Sequence, residues 1–251
     1  MYNDLFTVFG LTVHGYGLMI GLGIIAALSL SWRRARQKGL DEENVTSLGL
    51  VILLSGILGA KVFFLLTCFD QVKADPLGAL GSEGFVVYGG LVFGLAAAWL
   101  WCRRKGTRMG VWTDLVIPGV AAAQGFGRVG CFLAGCCYGA PTSSRLGVVF
   151  PAESLAPAGV RLWPTQLFSA AGDFLLMGAL LLLDRREGPP GRLTGWYLLL
   201  YGIGRFLVEL LRDDPRGSVG LLSTSQFISL FFVLAGTAWY TMPRRFLRAD
   251  G

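Results

Sequence analysis

Apolar residues run along this chain in seven long blocks, at about 14–31, 45–67, 84–102, 111–127, 166–183, 193–211 and 223–241. Each block approaches the ~20 residues that a helix needs to cross the hydrocarbon core of a bilayer. The pattern predicts seven transmembrane helices with short connections. One sizeable stretch falls outside them, about 138–165, rich in Gly, Pro and Ser, and it reads as a small head on one face of the bundle. The expected fold is an all-α integral membrane protein, a single polytopic domain over 1–251 with that head attached.

Polar residues between the blocks orient the chain. Basic clusters occupy alternate connections: Arg33, Arg34, Arg36 and Lys38; Arg103, Arg104, Lys105 and Arg108; Arg185, Arg186 and Arg192; Arg244, Arg245 and Arg248. These account for most of the 22 lysines and arginines and, by the positive-inside rule, mark the cytoplasmic side. The opposite connections carry Asp70, Asp75, Glu83, Asp213 and Asp214. The N-terminus is therefore expected outside and the C-terminus in the cytoplasm, with the head extracytoplasmic. MYNDLF lacks a basic leader, so the first block is expected to stay as a helix rather than act as a cleaved signal.

Composition agrees with the pattern. The chain is 53% apolar and 15% charged, against about 25% charged in soluble domains, with a mean hydropathy of +0.58. Its net charge of +6 would suit nucleic acid, but the basic residues sit where topology puts them, so no nucleic-acid partner is expected. The lipid bilayer is the partner that composition implies.

With the orientation set, the ionisable and polar residues inside the blocks converge on the outer half of the bilayer. They are His14, Tyr16, Lys61, Tyr88, Arg128, Gln166, Tyr201, Arg205, Glu209, Arg212 and Gln226. Charged groups at such depth generally face a bundle interior or wet cavity and mark function. Tyr201, Arg205, Glu209 and Arg212 follow an i, i+4, i+8, i+11 spacing and share one helix face. Arginines present a planar fork suited to phosphate or carboxylate. An anionic head on apolar tails at this depth points to a phospholipid. Plainer readings stand beside these: Arg205 and Glu209 as a structural pair, Arg212 and Lys61 as snorkelling residues, His14 and Tyr16 as interface anchors.

The segment GRVGCFLAGCCYG (127–139) adds three cysteines, Cys131, Cys136 and Cys137. Their C-x4-C-C spacing lacks the usual C-x2-C chelating step, so no metal is expected. A disulfide, a reactive thiol beside Arg128, and small-residue packing in a tight turn all fit the spacing. Packing is the leading reading for at least two of the three.

Five blocks together resemble the prolipoprotein diacylglyceryl transferase family. HGYGLM (14–19) is similar to the family's H-x-YGLM, VVYGGL (86–91) to its HGG block, and QGFGRVGCFLAGCCYG (124–139) to the signature G-R-x-G-N-F-x-N-x-E-x-x-G. WPTQLF (163–168) resembles H-P-[ST]-Q-L-Y, and YGIGRFLVELLR (201–212) resembles Y-G-x-x-R-x-x-x-E-x-x-R. The resemblance implies seven helices in the bacterial cytoplasmic membrane. It also implies transfer of diacylglycerol from phosphatidylglycerol to the lipobox cysteine of a prolipoprotein signal peptide, without cofactor. It places Tyr16, Arg128, Gly139, Arg205, Glu209 and Arg212 on family site positions. The expected catalytic set is Arg128, Arg205, Tyr88 and Glu209. His14, Tyr16, Gly139, Gln166, Tyr201 and Arg212 are expected to bind substrate alongside the two arginines. Departures are specific: Tyr88 stands for the HGG histidine, Cys131, Ala134 and Cys136 for Asn, Asn and Glu, and Trp163 for a histidine. A phospholipid-binding or transport paralogue without transfer is the alternative, and a thiol-redox enzyme a third reading.

Overall fold

The structure is a computed structural model that describes residues 4–8, 11–75, 78, 84, 86–212, 218–219 and 222–241. Seven long helices among these residues coincide with the seven apolar blocks: α1 (Gly15–Gln37), α2 (Glu42–Thr67), α4 (Val87–Arg104), α5 (Met109–Ala134), α6 (Thr165–Asp184), α7 (Arg192–Glu209) and α8 (Thr224–Thr241). A short α3 (Phe69–Ala74) follows α2. Four of them, α1, α2, α5 and α6, are long and apolar enough to cross a membrane. Their outward faces leave large side chains uncovered, including Leu54 at 65% and Leu175 at 75% exposure. Apolar surface on that scale belongs in lipid, and the chain is a membrane protein.

The expectation of an all-α chain needs one correction. Three two-stranded antiparallel hairpins occur among the described residues. β1 (Asp4–Val8) pairs with β2 (Leu11–His14), β3 (Val148–Val149) with β4 (Arg161–Leu162), and β5 (Ser218–Val219) with β6 (Leu222–Ser223). The first lies in DLFTVFGLTVH, whose Thr and Val content and alternation suit a strand pair better than a helical turn. Thr7 and Thr12 face each other in that pair, their hydroxyls 3.3 Å apart.

The chain divides into two compact units, Trp32–Trp112 and the remainder, Met1–Ser31 with Thr113–Gly251. In the first, α2 packs on α4 through Gly59 and Gly89, where a methyl group would meet the backbone of the facing helix. Trp101 fixes the other end of that pair, donating to Ser47 Oγ at 3.0 Å and meeting Trp112 edge-on at 5.1 Å.

The larger unit holds the candidate site. Gly23 packs against Ala123 and Gly119 against Ala27, which brings α1 and α5 close. The α5–α6 contact is carried by Phe126 edge-on to Phe174 at 5.4 Å. Gly202 and Gly236 set α7 directly on α8. Small residues at these crossings let backbones approach where lipid offers no hydrophobic drive between helices. The start of α7, after Gly191 at φ 89°, is capped by a residue of α5. Asp114 accepts from Gly191 N at 2.7 Å, Thr194 N at 2.8 Å and the Thr194 hydroxyl at 2.9 Å. A carboxylate there satisfies orphan amides and suits the positive end of the helix.

The segment after α5 folds as a small head with its own core of Phe150, Ala156 and Leu162, against which Phe132 packs from the helix. Its edge is stitched by Thr142 N to Arg161 O at 2.9 Å and Trp163 N to Ala140 O at 3.0 Å.

Candidate functional site

Helix α5 ends in a stop that explains part of the cysteine pattern. Gly135 takes φ +72°, its N–H bonds Phe132 O at 3.2 Å, and the N–H of Cys136 bonds Cys131 O at 3.0 Å. This pair of bonds with glycine in the left-handed region is the Schellman arrangement, which brings the side chains at its first and last positions together. Those positions are Cys131 and Cys136. Cys137 follows at φ +64°, a conformation rare for a residue with a side chain. Helix α6 pins the turn from the other side: Gln166 Nε2 donates to Cys136 O at 2.8 Å and the Thr165 hydroxyl to Cys137 O at 2.9 Å. The three Sγ atoms all lie within 4.8 Å of one another. Hydrogen bonding with Cys131 and then Cys137, followed by burial, raises the Cys136 thiol well above the ordinary thiol range.

One helical turn before Cys131, Arg128 lines a cavity of about 90 Å³ between α5, α6 and α7. Its wall includes Ser169 and Asp173 of α6 and Tyr201 and Arg205 of α7. Two always-charged guanidinium groups thus meet in one small chamber, on the scale of a lipid headgroup fragment. Asp173, 6% exposed, lies within electrostatic reach of both arginines. Tyr201 is held in place by stacking on Tyr197 at 5.4 Å and 10°, whose hydroxyl donates to Gln124 Oε1 at 2.8 Å.

Arg205 is anchored from two sides. Its Nη1 stands 2.7 Å from Glu209 Oε2, an ion pair off the hydrogen-bond line, and its Nη2 donates to Ser225 Oγ at 2.8 Å. Glu209 also accepts from the Ser223 hydroxyl at 2.9 Å and has Arg212 Nε at 3.8 Å. The face predicted from spacing is therefore a buried charge chain, Arg205–Glu209–Arg212, tied to the start of α8. Glu209 acts on the cavity through Arg205 and is not among the lining residues.

The other predicted residues separate into groups. Tyr16, in the first turn of α1, packs at Gly130 and lies within electrostatic reach of the three thiols and Arg128. His14 closes the first hairpin and pairs with Asp4 at 2.6 Å on the exposed surface. Gln166 is 1% exposed; its Nε2 donates to the cysteine turn, while its Oε1 is buried with no hydrogen-bond partner among the described residues. Gly139 sits where the head crosses the end of α7; a Cβ there would come 2.5 Å from Leu211 O and 2.7 Å from Trp163 Cβ. Tyr88, half exposed in the first turn of α4, belongs to the smaller unit.

Asp173 was not among the sequence candidates. Its signal was available: a lone carboxylate in the middle of SAAGDFLLMGALLLL is as costly in lipid as a lone arginine.

Comparison with known proteins bears on this geometry. The family model for prolipoprotein diacylglyceryl transferase matches residues 3–242. The phosphatidylglycerol–prolipoprotein diacylglyceryl transferase 2 of Clostridium perfringens is 47% identical over 239 residues, covering 94% of this chain and 93% of that protein. The Clostridium tetani transferase is 44% identical over 242 residues, covering 96% and 97%. A Dehalococcoides mccartyi transferase is similar at 28% identity over 243 residues, covering 96% and 93%.

Proposed function

Because the chain belongs to the prolipoprotein diacylglyceryl transferase family, we propose that it moves the diacylglyceryl group of phosphatidylglycerol onto the lipobox cysteine of a prolipoprotein. The acceptor sulfur attacks C3 of the glyceryl unit, a C–S bond forms, and the C–O bond to phosphate breaks. Glycerol 1-phosphate departs with the electron pair and a thioether remains.

The observation that carries this reading is the pair Arg128 and Arg205 on one cavity. Negative charge grows on the phosphate as the C–O bond breaks, and fixed cations already in place favour that transition state over the ground state. The ion pair with Glu209 and the bond to Ser225 hold Arg205 before substrate arrives. Tyr201 and Tyr16 offer hydroxyls to the headgroup. Asp173 balances the two arginines when the cavity is empty of lipid. Tyr88 takes the position of the family's HGG histidine in the VVYGGL block.

All seven long helices span the bacterial cytoplasmic membrane in this reading. The N-terminus and head lie outside, the basic clusters in the cytoplasm. That side is where a translocated lipobox would present its thiol.

The test is transfer of labelled diacylglycerol from phosphatidylglycerol to a lipobox peptide by the purified protein in detergent. Transfer with release of glycerol phosphate, lost in Arg128→Ala and Arg205→Ala, is expected. Phosphatidylglycerol binding without transfer would replace the enzyme by the paralogue that only binds lipid, with Tyr88 the substitution to revert first.

A further inference from the structure

The helix stop accounts for Cys131 and Cys136 as touching neighbours but not for Cys137. That residue holds φ +64° although Gly or Asn would take it with less strain. Its reward is geometric: the conformation turns a third sulfur onto the other two, all three within 4.8 Å. Three sulfurs about 2.3 Å from one zinc ion stand about 3.8 Å apart in a tetrahedral site, which small rotamer changes reach from here. The missing C-x2-C step is thus made good by the chain reversal. Two bonds from α6 fix the carbonyls of Cys136 and Cys137, so the backbone of the cluster is set without help from an ion. Arg128, one turn along α5 and within electrostatic reach of Cys131 and Cys137, offsets part of the negative charge that three thiolates carry.

We propose that Cys131, Cys136 and Cys137 hold one zinc ion through three thiolates and that its fourth position takes the acceptor thiol of the transfer reaction. This revises the expectation of no metal, and its second half rests on the transferase reading. Three thiolates suit a soft d10 ion, and three protein ligands with one open position are the pattern of reactive rather than closed zinc sites. The only histidine, His14, is engaged with Asp4 on the surface hairpin and does not close the site. A thiol bound to zinc gives its proton to water and remains a nucleophilic thiolate at neutral pH. Its sulfur then attacks C3 of the glyceryl unit as the C–O bond to phosphate breaks, and zinc is neither oxidised nor reduced. Arg128 lines the cavity that receives the leaving phosphate.

The experiment measures zinc per chain by mass spectrometry of the metal in full-length protein purified with zinc present. One zinc per chain is expected, falling about tenfold or more in Cys136→Ser and in Cys137→Ser and unchanged in Cys68→Ser. Size-exclusion profiles and melting curves confirm that each variant is folded. Cobalt(II) exchanged into the parent should show thiolate-to-metal charge-transfer absorption, which a merely packed cluster cannot give. Zinc below a tenth of an equivalent, whether the thiols are titratable, joined in a disulfide or occupied by copper, overturns the proposal. Transfer should stop after chelation and return with added zinc. Full transfer by the zinc-free protein overturns the role at the acceptor thiol. Zinc bound through the three cysteines with no transfer under any condition instead overturns the transferase reading and leaves the metal site standing.

Discussion

Replacing Arg205 by lysine keeps a positive charge at the cavity but removes the planar fork. In the parent, one guanidinium meets three demands: Nη1 faces Glu209 at 2.7 Å, Nη2 donates to Ser225 at 2.8 Å, and the same group lines the cavity. A lysine offers one nitrogen on a flexible stem. The pair it enters is buried, 12% exposed on the arginine side and 6% on the glutamate side. An uncompensated carboxylate at such a site costs about 3–5 kcal/mol, so the substituted ammonium would stay with Glu209 and release the phosphate. A hydrogen bond between charged groups contributes about 1.5–3 kcal/mol, which is roughly 10- to 150-fold in rate. The assay is initial-rate transfer of labelled diacylglycerol to a lipobox peptide, with kcat/KM compared at matched detergent and lipid. The expected outcome is a loss in that range with little change in melting temperature. A variant within about twofold of the parent would refute the fork as the phosphate clamp.

Further outcomes follow from the same geometry. Gly139→Ala should lower stability by about 1–3 kcal/mol, read as a falling melting temperature, because the atoms its Cβ would meet include the backbone Leu211 O at 2.5 Å. Asp114→Ala should destabilise by about 2 kcal/mol, the upper end for a lost helix cap, read as a falling melting temperature. After zinc is stripped, Cys136 should alkylate with iodoacetamide far more slowly at pH 8 than an exposed thiol. Hydrogen bonding with Cys131 and Cys137 and burial raise its pKa; labelling as fast as that of an exposed thiol contradicts this.

The helices were legible because each apolar block is long and closed by charge. The α7 face was legible too, since i, i+4 and i+8 spacing needs no tertiary knowledge to align Tyr201, Arg205 and Glu209. What spacing could not give was the partner of each group. Ser223 and Ser225 hold Glu209 and Arg205 from α8 and its preceding strand, a relation between residues far apart in sequence. Gln166 is polar in a run otherwise apolar, and spacing could not show that its Nε2 holds a turn thirty residues earlier. Gly139 sits at a family site position for a packing reason visible only once three segments cross. Asp173 was the reverse case, legible by cost in lipid and overlooked because its own helix carries no other ionisable residue within the apolar run.

The carboxylate of Asp114 reaches further than the helix start it caps. Arg128 lies fourteen residues along α5 from Asp114, and Arg205 eleven along α7 from Thr194. At 1.5 Å per residue these are lengths of about 21 Å and 17 Å. Two arms joined at one end by three hydrogen bonds can splay at the other but cannot slip lengthwise. The depth at which the two guanidinium groups face each other is therefore registered at the far end of the bundle. A lipid that parts the two helices there does so by widening the angle between α5 and α7. Cutting the joint at Asp114 should blur the match of cation to phosphate without touching either arginine.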